Sequence, residues 1–205
     1  MDSQHYFTAN PAGPEVRRPL TVILEGQRRE LVTASGLFSP DGIDKGTAIL
    51  LDAVPQPSGT RLLDIGCGWG PLALSLALKV PTAAVYAVDV NERCIALTRD
   101  NASRLGLPNV HASTPDGVDA ALEFDTVWSN PPIRIGKQEL HALLLAWLPR
   151  LAPGGDAWLV VQKNLGADSL QRWLADALPE GCAVRRADTS KSFRVIHVKR
   201  DDARS

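Results

Sequence analysis

Cysteine is scarce in this 205-residue chain: Cys67, Cys94 and Cys182 stand far apart, outside any Cys-x-x-Cys pair or histidine cluster. That spacing argues against a disulfide framework and against a structural metal site, and a reducing cytoplasm is the expected home. Long apolar runs are missing too, and the polar, proline-containing start has no basic-then-apolar leader. A soluble, unexported protein with no membrane partner is therefore expected. Neither sign of charge dominates, since 22 Lys and Arg against 23 Asp and Glu leave a formal net charge of −1. Such a chain has no global cationic field for indiscriminate nucleic-acid binding, so any RNA contact must use a local patch. No internal repeat or low-complexity segment is visible.

What is present is an ordinary globular composition, 44% hydrophobic and 22% charged, at a length that suits one α/β domain with a short appendage. The chain is organised around Asp64-Ile65-Gly66-Cys67-Gly68-Trp69-Gly70, which follows the apolar run Arg61-Leu62-Leu63 and precedes a leucine-rich helical stretch from Pro71. Strand, glycine turn and helix in that order let a ligand approach bare backbone and meet the unpaired N–H groups of a helix start. Asp64 and, at the end of the next apolar run, Asp89 add acceptors at the carboxyl ends of neighbouring strands, where open α/β sheets bind ligands. The dinucleotide fingerprint Gly-x-Gly-x-x-Gly fits imperfectly, because its third glycine would fall on Pro71.

Residues 1–18 read as an irregular arm. Leu20 to Leu24 and Glu30 to Thr33 read as a hairpin across a turn at Gly26-Gln27-Arg28-Arg29. A turn-rich loop, 35–46, leads to a helix from Thr47 to Val54 with Asp44 as its cap. Beyond the glycine turn come a strand at Ala83 to Val88, an Asn91-capped helix to Leu105, and strands at Asn109 to Ala112 and Glu123 to Ser129. A helix at Gln138 to Leu148, the break Pro153-Gly154-Gly155, a strand at Ala157 to Val161 and a helix at Leu165 to Leu178 follow. Cys182 to Arg186 and Phe193 to Lys199 close the chain as strands. The βα alternation predicts a mostly parallel sheet with helices on both faces and an antiparallel strand near the end.

Asn130-Pro131-Pro132-Ile133 ends the fourth core strand, beside the glycine turn. An amine that reacts as a nucleophile needs its nitrogen lone pair aimed at the atom it attacks across ~3 to 3.5 Å. The Asn130 side-chain oxygen can accept one N–H and the rigid Asn130-Pro131 backbone carbonyl another, which aims the lone pair without a strong base. Cys67 has no base beside it and reads as packing. His111 and His197 read as strand residues. Arg134 and Lys137 directly follow the motif and could meet phosphate, as, with less support, could Arg17, Arg18, Arg28, Arg29, Lys163, Lys191 and Arg194.

The pattern Asp-x-Gly-x-Gly-x-Gly resembles the first motif of class I S-adenosylmethionine (SAM) methyltransferases. Paired with Asn130-Pro131-Pro132, it resembles the members that modify exocyclic or amide nitrogens. Ser35-Gly36-Leu37-Phe38-Ser39-Pro40-Asp41-Gly42-Ile43-Asp44-Lys45-Gly46-Thr47 is similar to the loop-to-helix lead-in of bacterial 16S ribosomal RNA guanine-N2 methyltransferases. The resemblance runs from about residue 20 to about residue 200 and implies a Rossmann-like, mostly parallel seven-stranded sheet with helices on both faces. It also implies an arm and β-hairpin over 1–40, a SAM-binding domain over 41–205, and ribosomal RNA or a small ribosomal subunit as partner. Asp64, Gly66, Gly68 and Gly70 would surround the methionine part of SAM, Asp89 the ribose hydroxyls, and Ser113 and Asp116 the adenine. Cys67, Val90, Asn91 and Asn130 would flank these contacts, and no metal is called for. Asn130, Pro131, Pro132 and Ile133 would form the catalytic motif, while Phe38 and Ser39 would close the pocket, with Ile133, Arg134 and Lys137 toward the substrate. Two positions depart from the pattern. Ile133 stands where many relatives stack an aromatic residue on the base, and the third-strand acid is replaced by Ser113-Thr114. Competing readings are a protein glutamine-N5 or small-molecule amine methyltransferase, and a SAM- or RNA-binding module without turnover.

Overall fold

Alternate apolar residues along the core strands dictate a two-faced sheet. In the computed structural model, which describes residues 15–36, 39–190 and 192–202, consecutive strand residues pack into opposite cores. Leu63, Val127, Leu159 and Ile196 join one cluster, whereas their neighbours Leu62, Trp128, Val160 and Val195 join another. The elements run β1 (Arg17–Leu24), β2 (Gln27–Ala34), α1 (Lys45–Ala53), β3 (Arg61–Ile65), α2 (Pro71–Lys79), β4 (Ala84–Val88), α3 (Glu92–Arg104), β5 (Val110–Ser113) and β6 (Phe124–Ser129). They continue with α4 (Lys137–Trp147), β7 (Leu151–Gln162), α5 (Ala167–Ala177), β8 (Cys182–Ser190) and β9 (Phe193–Arg200).

A seven-stranded sheet has the order β5-β4-β3-β6-β7-β9-β8, and β1 and β2 form a separate two-stranded sheet. Pairings are parallel from β5 through β7, and β9 runs antiparallel to both β7 and β8. The α/β sheet with helices on both faces and a closing antiparallel strand is thus as expected. Helices α4 and α5 bury Leu140, Leu144, Leu170 and Leu174 on one face, and α1 and α2 bury Leu50, Leu72 and Leu76 on the other. The chain leaves β3 toward β4 and β5, then returns to the other side of β3 as β6. That reversal creates a switch point between the carboxyl ends of β3 and β6.

Two local expectations change. The hairpin turn is Glu25-Gly26, both with positive φ (49° and 71°), so Gln27, Arg28 and Arg29 belong to β2 and pair with Leu24, Ile23 and Val22. A two-residue turn with both φ positive matches the twist of its strands and lets the pairing run to the tip. Pro153-Gly154-Gly155 is not a break but a bulge inside β7. Phe124 faces Leu151 and Thr126 already faces Asp156. Gly155 makes this possible: a Cβ there would stand 2.8 Å from the Ala152 carbonyl oxygen and 2.9 Å from that of Phe124.

Candidate active site

The glycine turn is pinned by backbone before any side chain acts. Gly66 and Cys67 donate their N–H groups to the Val88 carbonyl at 2.8 and 3.0 Å, which bends the chain across the end of β4. Gly66, Gly68 and Gly70 have φ of 79°, 58° and 103°, the left-handed region that side chains resist. A Cβ on Gly68 would meet nothing within 4 Å, so the glycine keeps an open backbone surface. From α3, Thr98 donates its hydroxyl to the Gly68 carbonyl (3.1 Å) and Asn101 donates from Nδ2 to the Trp69 carbonyl (2.9 Å). Nothing local in the sequence marks either residue as a support of the turn.

Two carboxylates meet this turn. Asp64 is 1% exposed; its Oδ2 accepts from the Ala73 N–H at the start of α2 (3.0 Å), and its Oδ1 has no hydrogen-bond partner among the described residues. Burial pushes its pKa up to about 8, opposed by the Ala73 bond and reinforced by the charge of Asp89. Asp89 accepts from the N–H groups of Gly68 (3.1 Å) and Asn91 (2.9 Å), and burial raises its pKa as well. Asn91 caps α3 by accepting from the Arg93 N–H. Burial raises the Cys67 thiol well above its ordinary range, so it stays a packed, protonated group.

Across the switch point, Ser129 donates to the Ile65 carbonyl at 2.7 Å and fixes the end of β6 beside that of β3. Asn130 comes next. Its Nδ2 donates to Asp44 Oδ2 and to Thr47 Oγ1, both at 3.0 Å, and among the described residues no donor reaches its Oδ1. Pro131 is buried, and its carbonyl accepts from the Ile133 N–H at 2.8 Å, leaving a second lone pair. Ile133 is partly buried against the α4 side of the core.

A cleft open to solvent gathers Ser39, Asp44, Thr47, Asp64, Gly66, Cys67, Gly68 and Asn130, together with Trp69, Pro71 and Leu72. It brings together the glycine turn and Asn130, whereas Pro131, Pro132 and Ile133 do not line it. Ser39 has a positive φ of 48°. Gly70 begins α2 beside Thr98, and Asp89 reaches the turn through Gly68. Val90 is exposed beside it, Ser113 ends β5, and Asp116 is exposed in a short 3-10 turn. Arg134 and Lys137 are exposed beyond the motif, and Phe38 lies outside the described residues. Of the remaining basic residues, Arg17, Arg18, Arg28 and Arg194 are in ion pairs, and Lys191 is also outside the described residues. Sequence reasoning took Asp44 only as a cap and gave Thr47 no role of its own; both contact Asn130 from more than eighty residues away.

The family model for the methyltransferase small domain matches residues 28–197. The chain belongs to that family. Methyltransferase small-domain proteins use SAM, and the residues here suit it: the buried Asp64 Oδ1, with no partner among the described residues, would receive its cationic amino group, and the bare glycine backbone would leave room for the methionine part. The chain is a SAM-dependent methyltransferase. It is 32% identical to YbxB of Bacillus subtilis over 97% of this chain and 99% of that protein. It is also 32% identical to ribosomal RNA small subunit methyltransferase C of Pseudomonas putida, over 86% of this chain and 53% of the relative, so it spans about half the length of that protein. The fold matches the 16S rRNA N2 methyltransferase RsmC of T. thermophilus, solved with AdoMet and guanosine, with a TM-score of 0.76, 21% identity and coverage of 93% of this chain and 52% of the other.

Proposed function

We propose that this small-domain methyltransferase transfers the methyl group of SAM to the exocyclic N2 of a guanine in ribosomal RNA. One observation carries the chemistry. Both amide protons of Asn130 are engaged by Asp44 and Thr47, so the group left toward the pocket is an acceptor. An acceptor suits an N–H donor, and with the free lone pair of the Pro131 carbonyl it can take both protons of a primary amine. The nitrogen lone pair then points away from the two acceptors, toward the methyl donor across ~3 to 3.5 Å.

SAM supplies an activated methyl on a cationic sulfur. The chain itself binds, aims and keeps water away. Asp64 holds the donor's amino group, Asp89 its ribose hydroxyls, and the apolar lining of Trp69, Pro71 and Leu72 excludes solvent. Ser113 and Asp116 sit toward the adenine. Ser39 borders the acceptor side, Ile133 packs against the base without stacking, and exposed Arg134 and Lys137 meet phosphates. RNA as the substrate class draws support from the ribosomal RNA methyltransferases named above, and a reducing cytoplasm is where such a substrate is met.

The test is direct. The purified protein with labelled SAM and small-subunit ribosomal RNA, or the assembled subunit, should yield N2-methylguanosine on nucleoside mass spectrometry. Asn130→Ala should bind SAM normally and lose transfer. A deletion strain that keeps every methylated guanine, with label appearing instead in a protein glutamine or a small amine, would overturn the RNA reading; label in nothing would favour a binding module without turnover.

A further inference from the structure

The contact between the first helix and Asn130 does more than close the pocket. Asp44 caps α1, its Oδ1 accepting from the Gly46 N–H at 2.8 Å and both oxygens receiving the Thr47 N–H at 3.3 to 3.4 Å. The same carboxylate accepts from Asn130 Nδ2 through Oδ2. An amide can present either end to a neighbour of mixed character, but an ionised carboxylate only accepts. Asp44 therefore dictates that the Asn130 nitrogen faces α1 and its oxygen faces the pocket. Thr47, whose hydroxyl can donate or accept, takes the second amide proton. The cap bonds and the positive end of α1 hold the carboxylate in place.

We propose that Asp44 is a positioning residue for methyl transfer: a helix cap that also clamps Asn130 and keeps its carbonyl toward the acceptor nitrogen. This rests on the N-methylation reading of the site. A charge-assisted bond to the amide nitrogen also polarises the amide, enriching Oδ1 as positive charge develops on the nitrogen being methylated. Gly46 is part of the device. A Cβ there would stand 3.1 Å from Asp44 Oδ1, 3.1 Å from Phe193 Cε1 and 3.4 Å from Asn130 Nδ2.

Asp44→Asn separates the clamp from the cap, since asparagine caps helices as well as aspartate does. The N–H groups of Gly46 and Thr47 would retain the new carbonyl and leave an NH2 group facing Asn130, which would turn its own oxygen inward. Loss of one preorganised group of this kind reduces turnover about 100-fold, and that fall in kcat is expected here with SAM affinity held within about twofold. Thr47→Ser should behave like the parent, and Thr47→Val should lose about tenfold in kcat. Asp44→Asn combined with Asn130→Ala should be no slower than Asn130→Ala alone. A readout free of substrate is the Asn130 side-chain amide in 15N–1H spectra, whose two protons should shift and exchange faster in Asp44→Asn. An unchanged kcat, multiplying losses in the double variant, or unmoved amide signals would overturn the clamp. A parent enzyme inactive on RNA would overturn the substrate reading, and the amide signals would still decide the clamp.

Discussion

Asp64 shows what a binding site costs a fold at the scale of one residue. Its pKa is raised from the ordinary 3.8 to about 8 by burial, so ionising it in the folded protein without SAM is unfavourable. The sign follows from linkage. A raised folded-state pKa means that the unfolded chain loses its proton first, so stability is fully present below the unfolded value, falls as pH rises from about 4 to about 8, and then levels. Asp64→Asn removes that loss. In the absence of SAM the variant should melt above the parent at pH 8 to 9 and close to it at pH 4, each kcal/mol appearing as about 2–4 °C in a chain of this size. The same variant should lose SAM affinity by more than about tenfold in titration calorimetry, because the orphaned Oδ1 is the group left for the donor's cation. A variant that bound SAM as well as the parent would remove Asp64 from the cofactor site. Asp64 was legible because an acid before Gly66 has a local spacing. Asp44 was legible only as a cap, since its second contact, Asn130, is fixed by tertiary placement.

At the scale of elements, α3 joins the hairpin to the cofactor turn. Asn101, fully buried on α3, accepts from the Val32 N–H (2.8 Å), donates to the Val32 carbonyl (2.9 Å) and donates to the Trp69 carbonyl (2.9 Å). It thus completes the edge of β2 as another strand would and ties that edge to the glycine turn. Around it, Leu20, Val22, Leu24 and Leu31 of the hairpin share a cluster with Trp69, Leu74, Cys94 and Leu97. Asn101→Ala leaves these backbone groups without their partner at about 1–3 kcal/mol for each that stays buried. The melting temperature should fall by several degrees, the Val32 amide should lose exchange protection, and SAM should bind about tenfold more weakly as the turn loosens. Equal SAM affinity would mean that the hairpin and the turn are energetically separate. The sequence showed the hairpin, the caps Asp44 and Asn91, and most helix bounds, because capping and periodicity are local. It misplaced the Pro153-Gly154-Gly155 bulge, since those residues read as a break until a neighbouring strand supplies the pairing.

For the whole molecule, strand existence was legible in the alternation of apolar residues, whereas the full strand order was not. The physical reason is that β3 pairs with β6 across some sixty residues of chain, a contact no local pattern encodes. That order makes the site a property of the sheet. The turn after β3, Asp89 after β4 and Asn130 after β6 converge because their strands are neighbours, and SAM held between the turn and Asp89 should stabilise the sheet and the helices on it together. At about 100 times its dissociation constant, SAM adds roughly 2.7 kcal/mol. Raised melting by about 5–10 °C should follow in one transition, because the three hydrophobic clusters share the sheet or the helices on it. Tryptophan fluorescence samples each cluster through Trp147, Trp128 and Trp69, and should melt with the far-ultraviolet dichroism. NAD at the same concentration should leave the melt unmoved, since Pro71 occupies the position where a pyrophosphate-binding turn places its third glycine. A shift with NAD, or a hairpin signal that melts ahead of the sheet, would break the link between sheet order, cofactor choice and cooperative folding.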